Sequence, residues 1–188
     1  MLDLQRAHFR YTRYFCEENI WWLAKSLAEA GCPLRDLQVL LFSNPAESNL
    51  MLNQAAAEPE RLAVWDYHVV LQAEIDGRCL ILDFDTRLDF PAPCEDYLQR
   101  SFPPQSLLPE HLRSWVRRIP ASNYLAHFYS DRSHMLDQLP QSQFPPYPII
   151  QPEPGRQRIS LAEYRDVHAE LLDGSVALPL ASAFPQLA

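Results

Sequence analysis

Apolar and polar residues alternate most clearly between residues 64 and 86, which read VWDYHVVLQAEIDGRCLILDFDT. Two runs rich in β-branched and aromatic residues flank Asp76 and Gly77. An Asp-Gly pair between alternating hydrophobic positions is typical of a tight hairpin turn. The pattern therefore predicts an antiparallel hairpin in which Asp76 and Gly77 form the turn and Ile75 lies opposite Arg78.

This register assigns the two faces of the hairpin. It sets His68 opposite Asp85, with Asp83 on the same face one diagonal step away, at roughly 7–8 Å between backbones. Period-two alternation predicts that the other face points into the core, and it favours a packing role for Trp65 and Tyr67 over a role as walls of a pocket. The residues of that face are Trp65, Tyr67, Val69, Leu71, Ile75, Leu80, Leu82 and Phe84.

An imidazole beside a carboxylate is the orienting half of a nucleophilic active site. The carboxylate fixes the tautomer of the ring and stabilises the imidazolium that forms during turnover. The pairing of His68 with two aspartates is equally compatible with a solvated polar face on a half-exposed hairpin. A nucleophile elsewhere in the chain is needed to decide between these interpretations.

A second pattern, with helical spacing, begins at Cys16. Apolar residues recur on one helical face from Ile20 to Ala28, two glutamates suit the first turn, and Gly31 is a natural stop. A thiol at a helix N-terminus has its pKa lowered by the helix dipole and lies beside free N–H groups that can stabilise an oxyanion. Glu17 and Glu18 act against that shift, and a lone cysteine is more often structural than catalytic.

The rest of the chain predicts secondary-structure elements and offers no further candidate catalytic residues. The patterns predict a buried strand at 36–44, a loop or short helix at 45–61, a short helix at 95–102, and helical or mixed segments at 106–119 and 122–136. The proline-dense residues 140–154 should be extended and are interpreted as a surface strap that ties down the C-terminal part, in preference to the lining of a groove. Ser160 and Glu163 form a capping box that predicts a helix ending near Gly174. The dispersed histidines, His8, His111, His127, His134 and His168, are interpreted as ordinary.

Composition narrows the class of protein. A chain of 188 residues is expected to form one domain, residues 1–188, and its net charge of −8 offers no basic surface for nucleic acid. No apolar run is long enough to span a membrane and the N-terminus lacks a signal sequence, so a cytoplasmic protein is expected. The four cysteines lack metal-ligand spacing, and no phosphate-binding loop occurs, so neither a metal, a disulfide framework nor a cofactor is expected.

Six strings combine these motifs in a known order: YFCEENIWWL, LFSN, VWDYHVVL, LDFDTRLDFP, SDRSHM and PPYPII. Together they resemble the protein N-terminal glutamine amidohydrolase family over residues 14–150. The resemblance implies a papain-like or transglutaminase-like α+β fold, with an antiparallel sheet packed against helices. It also implies that Cys16 is the nucleophile, His68 the base and Asp83 the orienting acid, where the hairpin register alone allowed Asp83 or Asp85 and slightly favoured Asp85.

The function implied by the resemblance is deamidation of an N-terminal glutamine to glutamate, with a thioester on Cys16 and release of ammonia. No metal or organic cofactor is implied, and the partners are peptides or proteins that begin with Gln. Recognition of their free α-ammonium requires a carboxylate, and the sequence offers four near the presumed site without choosing among them: Glu17, Glu18, Asp66 and Asp85. For any one of these residues, a solvated charge in the first turn of the helix or on the face of the strand is the preferred interpretation.

Two other functions stay open at this stage. One is a cysteine deamidase or protease that acts on internal residues of a particular protein, because a fold does not fix a substrate. The other is a non-catalytic interaction domain that uses the proline-rich segment and aromatic surface. A monomer is expected in each case.

Overall fold

The computed structural model describes residues 3–187, which leaves Met1, Leu2 and Ala188 outside the description. In that range the α-helices are α1 (Cys16–Glu29), α2 (Cys94–Ser101), α3 (Ala121–His127), α4 (Leu161–Arg165) and α5 (Leu180–Ala183). The strands are β1 (Leu37–Ser43), β2 (Asn49–Met51), β3 (Ala63–Trp65), β4 (Tyr67–Ile75), β5 (Arg78–Leu82), β6 (Ala92–Pro93), β7 (Trp115–Pro120), β8 (Phe128–Tyr129), β9 (Ile159–Ser160) and β10 (Ala177–Pro179). Each of the described helices is too short or too polar to cross a bilayer.

The fold is α+β and is built on a six-stranded antiparallel sheet with the strand order β10-β7-β1-β4-β5-β6. The predicted hairpin is confirmed, because β4 and β5 pair from Ile75 with Arg78 to Leu71 with Leu82. Asp76 and Gly77 have φ values of 52° and 71°. Positive φ at both central residues is what a tight hairpin turn requires.

Side chains cover both faces of the sheet. On one face of the sheet, α1 and α3 pack on β1 and β4. On the opposite face, α2 and α5 pack on the side chains of the same strands that point away from α1. His68 is therefore 0% exposed and Asp83 1% exposed. The alternative of a solvated polar face on the hairpin is wrong, because the second layer of helices removes that face from water.

The alternation predicted that Trp65 and Tyr67 share a face, and this prediction is wrong. The chain bends at Asp66, and β3 pairs with β2 in a separate two-stranded sheet, so the period of two does not continue through Trp65. The Trp65 ring instead stacks on the His68 ring, with centroids 5.3 Å apart and planes 15° apart. Tyr67 keeps its predicted side and packs against the core beneath α1.

The structure corrects several element predictions. Residues 45–61 contain strand β2, residues 115–120 form β7, and the helix after the capping box ends at Arg165, well before Gly174. The capping box itself is confirmed. The buried Arg117 side chain explains the short helix, since it donates to the backbone carbonyls of Tyr164, Asp166, Ala169 and Ser175. These carbonyls are held by a guanidinium instead of by a continued helix.

The proline-rich segment packs over the start of α1. Phe144 contacts Phe15 with ring centroids 5.5 Å apart, and Tyr147 contacts Trp22 at 5.3 Å. Apart from a short 3-10 turn at Gln141–Gln143, residues 140–154 have no regular secondary structure. The segment is thus a strap, as interpreted from the sequence, although these contacts are with the start of α1 and not with the C-terminal part of the chain.

Candidate active site

The candidate site lies where β5 leaves its neighbour. β5 pairs with β4 only as far as Leu71, so the preceding residues of β4 pair with β1 alone. The edge of β4 from Tyr67 to Val70 is consequently open on the side that β5 has left. His68 and the backbone of Val69 lie on this open edge, between α1 and the loop that follows β5.

His68 and Asp83 form a buried pair. Nε2 of His68 lies 3.0 Å from Oδ1 of Asp83. The same carboxylate accepts the backbone N–H of Asp85 at 2.9 Å, the hydroxyl of Tyr97 at 2.8 Å and the amide of Gln54 at 3.3 Å. Four donors therefore fix the Asp83 carboxylate, which can hold the imidazole in one orientation.

The pair determines the protonation of the ring. A carboxylate only accepts hydrogen bonds, so Nε2 of His68 carries a proton and Nδ1 of the neutral ring is an acceptor. Nδ1 is buried and has no hydrogen-bond partner among the described residues. Burial acts to lower the pKa of His68, but the charge and hydrogen bond of Asp83 outweigh it and raise that pKa above its usual value. Burial acts to raise the pKa of Asp83, and the His68 pair holds it below its usual value.

Cys16 is the first residue of α1, as predicted, and it lines a cavity of about 310 Å³. Its sulfur lies 3.8 Å from Oε2 of Glu17, and no hydrogen bond joins it to His68 in the described part of the chain. Burial, followed by the charge of Glu17, raises the pKa of the thiol, whereas the backbone N–H of Val69 acts to lower it. A raised pKa leaves a thiol at neutral pH, so a reaction of Cys16 needs a base.

The two residues after Cys16 are fully buried and are not the solvated first-turn charges that the sequence suggested. Glu17 and Glu18 are both 0% exposed. Asn19 is also buried, and its side-chain amide both donates to and accepts from the backbone of Thr12, at 2.8 Å each way. The three residues after Cys16 are therefore structural, and each has a different partner outside the string.

Glu17, Tyr67 and His134 make up a group beside the thiol that sequence reasoning missed. The Tyr67 hydroxyl donates to Oε2 of Glu17 at 2.9 Å and lies 3.2 Å from Nε2 of His134. Burial raises the pKa of Glu17 to about 8, so its carboxyl group is largely protonated at neutral pH. His134 lies in SDRSHM, one of the six strings that carry the family resemblance. That position is the sequence feature that could have indicated its place at the site, although the sequence interpretation treats His134 as an ordinary histidine.

Glu18 forms a buried ion pair with Arg132. Nε and one terminal nitrogen of Arg132 contact the two carboxylate oxygens at 2.8 and 3.0 Å, and the Ser130 hydroxyl donates to the same carboxylate at 2.7 Å. Arg132 also donates to the carbonyls of Pro145 and Tyr147 in the strap. One guanidinium thus ties the first turn of α1 to the strap that covers it.

Two further carboxylates line the cavity. Asp66 and Asp85 share its wall with Cys16, Trp65, Tyr67 and His134. Trp65 and Tyr67 are thus part of the cavity wall, and the packing role predicted for both is incomplete. The cavity is bounded by two carboxylates, aromatic rings and the Arg13 side chain. Because the two carboxylates outnumber the one guanidinium, the cavity suits a small cationic group attached to a flexible chain.

A metal ion is a second chemistry that these residues could support. Ligand atoms of His68, Asp83 and Asp85 lie within 4.8 Å of one another. Two of the three side chains, however, are already hydrogen-bonded to each other. Their arrangement favours a pair that handles a proton over a set of metal ligands.

Comparisons with known proteins all identify the same family. The family model described as N-terminal glutamine amidase matches residues 11–179. A protein of Bos taurus named protein N-terminal glutamine amidohydrolase is 34% identical over 170 residues, which cover 88% of this chain and 81% of that protein. Proteins with the same name from Arabidopsis thaliana and Homo sapiens are 33% and 32% identical, cover 79% and 88% of this chain, and are themselves covered over 72% and 82% of their length.

Proposed function

Because this chain belongs to the N-terminal glutamine amidase family, we propose that it converts an N-terminal glutamine of peptides and proteins to glutamate and releases ammonia. One structural observation carries the proposal. A buried His68–Asp83 pair leaves Nδ1 of the ring without a partner among the described residues, and Tyr67 and the Trp65 ring stacked on His68 line the same cavity as the helix-terminal Cys16. A base with a fixed tautomer beside a thiol is the arrangement that amide hydrolysis through a thioester needs.

In the proposed first step, Nδ1 of His68 takes the thiol proton of Cys16 as the sulfur attacks the side-chain carbonyl carbon of the substrate. The imidazolium that forms is stabilised by Asp83. The oxyanion is stabilised by the backbone N–H of Cys16 in the first turn of α1. A rotation of the Cys16 side chain from Glu17 towards His68 is required, and catalytic hydrogen bonds often tighten only when substrate is bound.

In the proposed second step, the tetrahedral intermediate collapses and His68 gives its proton to the departing nitrogen, so the products are ammonia and a thioester on Cys16. Water then attacks the thioester carbon while His68 accepts a proton from it. Breakage of the carbon–sulfur bond yields the glutamate side chain and returns the proton to the thiol. The Val69 N–H, freed where β5 leaves β4, stabilises negative charge on the sulfur in both steps.

We further propose that residues 1–188 form a single domain of the papain-like or transglutaminase-like class. A helix-terminal cysteine, packed against an antiparallel sheet that carries the histidine and the aspartate, supports this class. A monomer in the cytoplasm, without nucleic-acid or membrane partners, fits the net charge of −8. Light scattering during size-exclusion chromatography tests the monomer directly.

Ammonia release from a short peptide that begins with Gln tests the function. The same peptide with an acetylated α-amine and one that begins with Asn are run beside it. Release from the free Gln peptide alone is the expected result. Equal activity on the acetylated peptide would favour a deamidase of internal residues, and no activity on any of the three would contradict the proposal.

A further inference from the structure

An enzyme that acts only on a terminal glutamine must bind the charged α-ammonium as well as the amide. The cavity offers carboxylates for this purpose, and the present inference, which rests on the proposed function, concerns which one is used. Three acidic residues lie in or next to the cavity: Glu17, Asp66 and Asp85. Their hydrogen bonds and charges distinguish them.

Glu17 is poorly suited to bind a cation. Its carboxyl group is 0% exposed and already contacts the thiol and the Tyr67 hydroxyl. With its pKa raised to about 8 by burial, it is mostly neutral at pH 7. A neutral acid offers little charge to an ammonium group.

Asp66 is already occupied. One of its oxygens accepts the backbone N–H of Tyr67 at 3.1 Å, and the other lies 3.5 Å from the Arg165 guanidinium. Its side chain is also 49% exposed, so water and salt weaken any further ion pair. Asp66 therefore lacks a carboxylate oxygen that is both free of other partners and shielded from water.

Asp85 has both. One oxygen accepts the Tyr11 hydroxyl at 2.6 Å, and no hydrogen bond or salt bridge reaches its second oxygen from residues 3–187. Its backbone is held by bonds from its N–H to Asp83 at 2.9 Å and from the Ala55 N–H to its carbonyl at 2.7 Å. Burial raises the pKa of Asp85, as expected of a carboxylate whose desolvation is incompletely compensated.

We propose that Asp85 binds the α-ammonium of the N-terminal glutamine, and that the Tyr11 hydroxyl holds the carboxylate in position for it. Four bonds, about 5 Å at full extension, separate the α-nitrogen of glutamine from its side-chain amide carbon. If Asp85 binds the α-ammonium while Cys16 contacts the amide carbon, the distance between these two groups selects the length of the substrate side chain. Asparagine is one methylene shorter, and an acetylated amine has lost its charge, so neither satisfies both anchors.

The test compares two substrates in Asp85→Asn. One is a short peptide that begins with Gln, and the other is the same peptide whose first residue lacks only the α-amine. Relative to wild type, Asp85→Asn is expected to lower kcat/KM for the Gln peptide about 10- to 100-fold, mainly through KM. The deamino substrate, which has no ammonium to bind, should keep its wild-type value.

Three comparisons make the test specific. Asp89→Asn, an exposed aspartate on the same loop, should change neither substrate. Tyr11→Phe, which keeps the charge but frees the carboxylate, should raise KM for the Gln peptide alone, by a smaller factor than Asp85→Asn. Asp66→Asn tests the competing carboxylate of the same cavity: it should lower kcat/KM for the Gln peptide less than Asp85→Asn does, and a larger loss would reassign the ammonium site.

Other outcomes overturn the assignment in distinguishable ways. An equal loss on both substrates would mean that Asp85 acts through His68 or through folding. A Gln peptide that is unaffected in Asp85→Asn would exclude Asp85 as the anchor, while the proposed function would stand. Wild-type protein that releases no ammonia from any Gln peptide would contradict the proposed function itself.

Discussion

His68 Nε2 lies 3.0 Å from Asp83 Oδ1, although Asp83 is one residue beyond the end of β5. The sheet thus supplies the imidazole, and the loop that follows its neighbouring strand supplies the carboxylate. β5 no longer pairs with β4 at this point, and Nδ1, the ring nitrogen that does not contact the aspartate, has no hydrogen-bond partner among the described residues. In the proposed mechanism, His68 acts as a base from this open edge of the sheet.

Replacement of Asp83 by Asn should separate the two effects of the carboxylate. The amide no longer fixes the tautomer, and kcat is expected to fall about 10³- to 10⁴-fold. Since Asp83 raises the pKa of His68, its loss lowers that pKa, and the acidic limb of kcat/KM should move to lower pH. The measurement is a pH–rate profile of both proteins. Tyr97→Phe removes one donor but keeps the carboxylate, so it should cost less than about tenfold, and an unmoved acidic limb in Asp83→Asn would contradict the assigned pair.

Replacement of Cys16 by Ser should abolish turnover without unfolding the chain. A hydroxyl is a far weaker nucleophile when the supporting groups are built for sulfur, and loss of a nucleophile costs on the order of 10⁴-fold or more. Ammonia release and thermal unfolding are measured on the same samples. Cys79→Ser, a half-buried cysteine in β5, is the matched control and should remain active. Near-normal turnover in a folded Cys16→Ser protein would remove Cys16 from the mechanism.

Glu17 should make the protein less stable as pH rises. Its pKa is raised from 4.5 to about 8, so between these values the unfolded chain has released a proton that the folded chain keeps. The free energy of unfolding therefore declines with pH in this window, by about 1.4 kcal/mol per unit at most. Glu17→Gln should flatten the decline between pH 5 and 8 in urea titrations, whereas the exposed Glu29→Gln should not. Equal slopes in wild type and Glu17→Gln would mean that Glu17 is ionised when folded.

Loss of Arg132 should destabilise the protein more than loss of a surface arginine. Arg132→Met leaves the carboxylate of Glu18 buried and without its counter-charge, which is expected to cost about 3–5 kcal/mol in the free energy of unfolding. Arg156→Met breaks an exposed pair with Glu153 and should cost less than about 1 kcal/mol. Urea unfolding of both variants measures the difference.

A double variant tests the origin of that cost. When Glu18→Gln is combined with Arg132→Met, no uncompensated charge remains, so the double variant should be more stable than Arg132→Met alone. If the two substitutions are instead additive, the cost arises from the lost contacts of the guanidinium with the Tyr147 ring and with the carbonyls of the strap.

The parts of the fold that follow from short-range rules were predictable from the sequence. The turn at Asp76 and Gly77, the start of α1 at Cys16 and the capping box at Ser160 each rest on local backbone chemistry. The end of α4 did not follow from its own residues, because Arg117, distant in sequence, holds the carbonyls that would have continued the helix. Local patterns cannot reveal such a distant donor.

The candidate site shows the same division. The pattern brought His68 near two aspartates, but only the family resemblance selected Asp83, because the register assumed that β5 continues to residue 85. The roles of Glu17 and Glu18 were missed for a related reason. Acidic residues in a first helical turn are usually solvated, and burial of these two depends on Tyr67 and Arg132, which reach them from other parts of the chain.

The position of β1 in the sheet has a consequence for synthesis of the chain. One edge of β1 pairs with β4 and the other with β7, whose residues emerge from the ribosome much later. Until Trp115–Pro120 arrives, the nascent chain presents an apolar strand with an unpaired edge, which is a template for intermolecular pairing. Protection of β1 by a chaperone until β7 has been synthesised should therefore raise the yield of this protein.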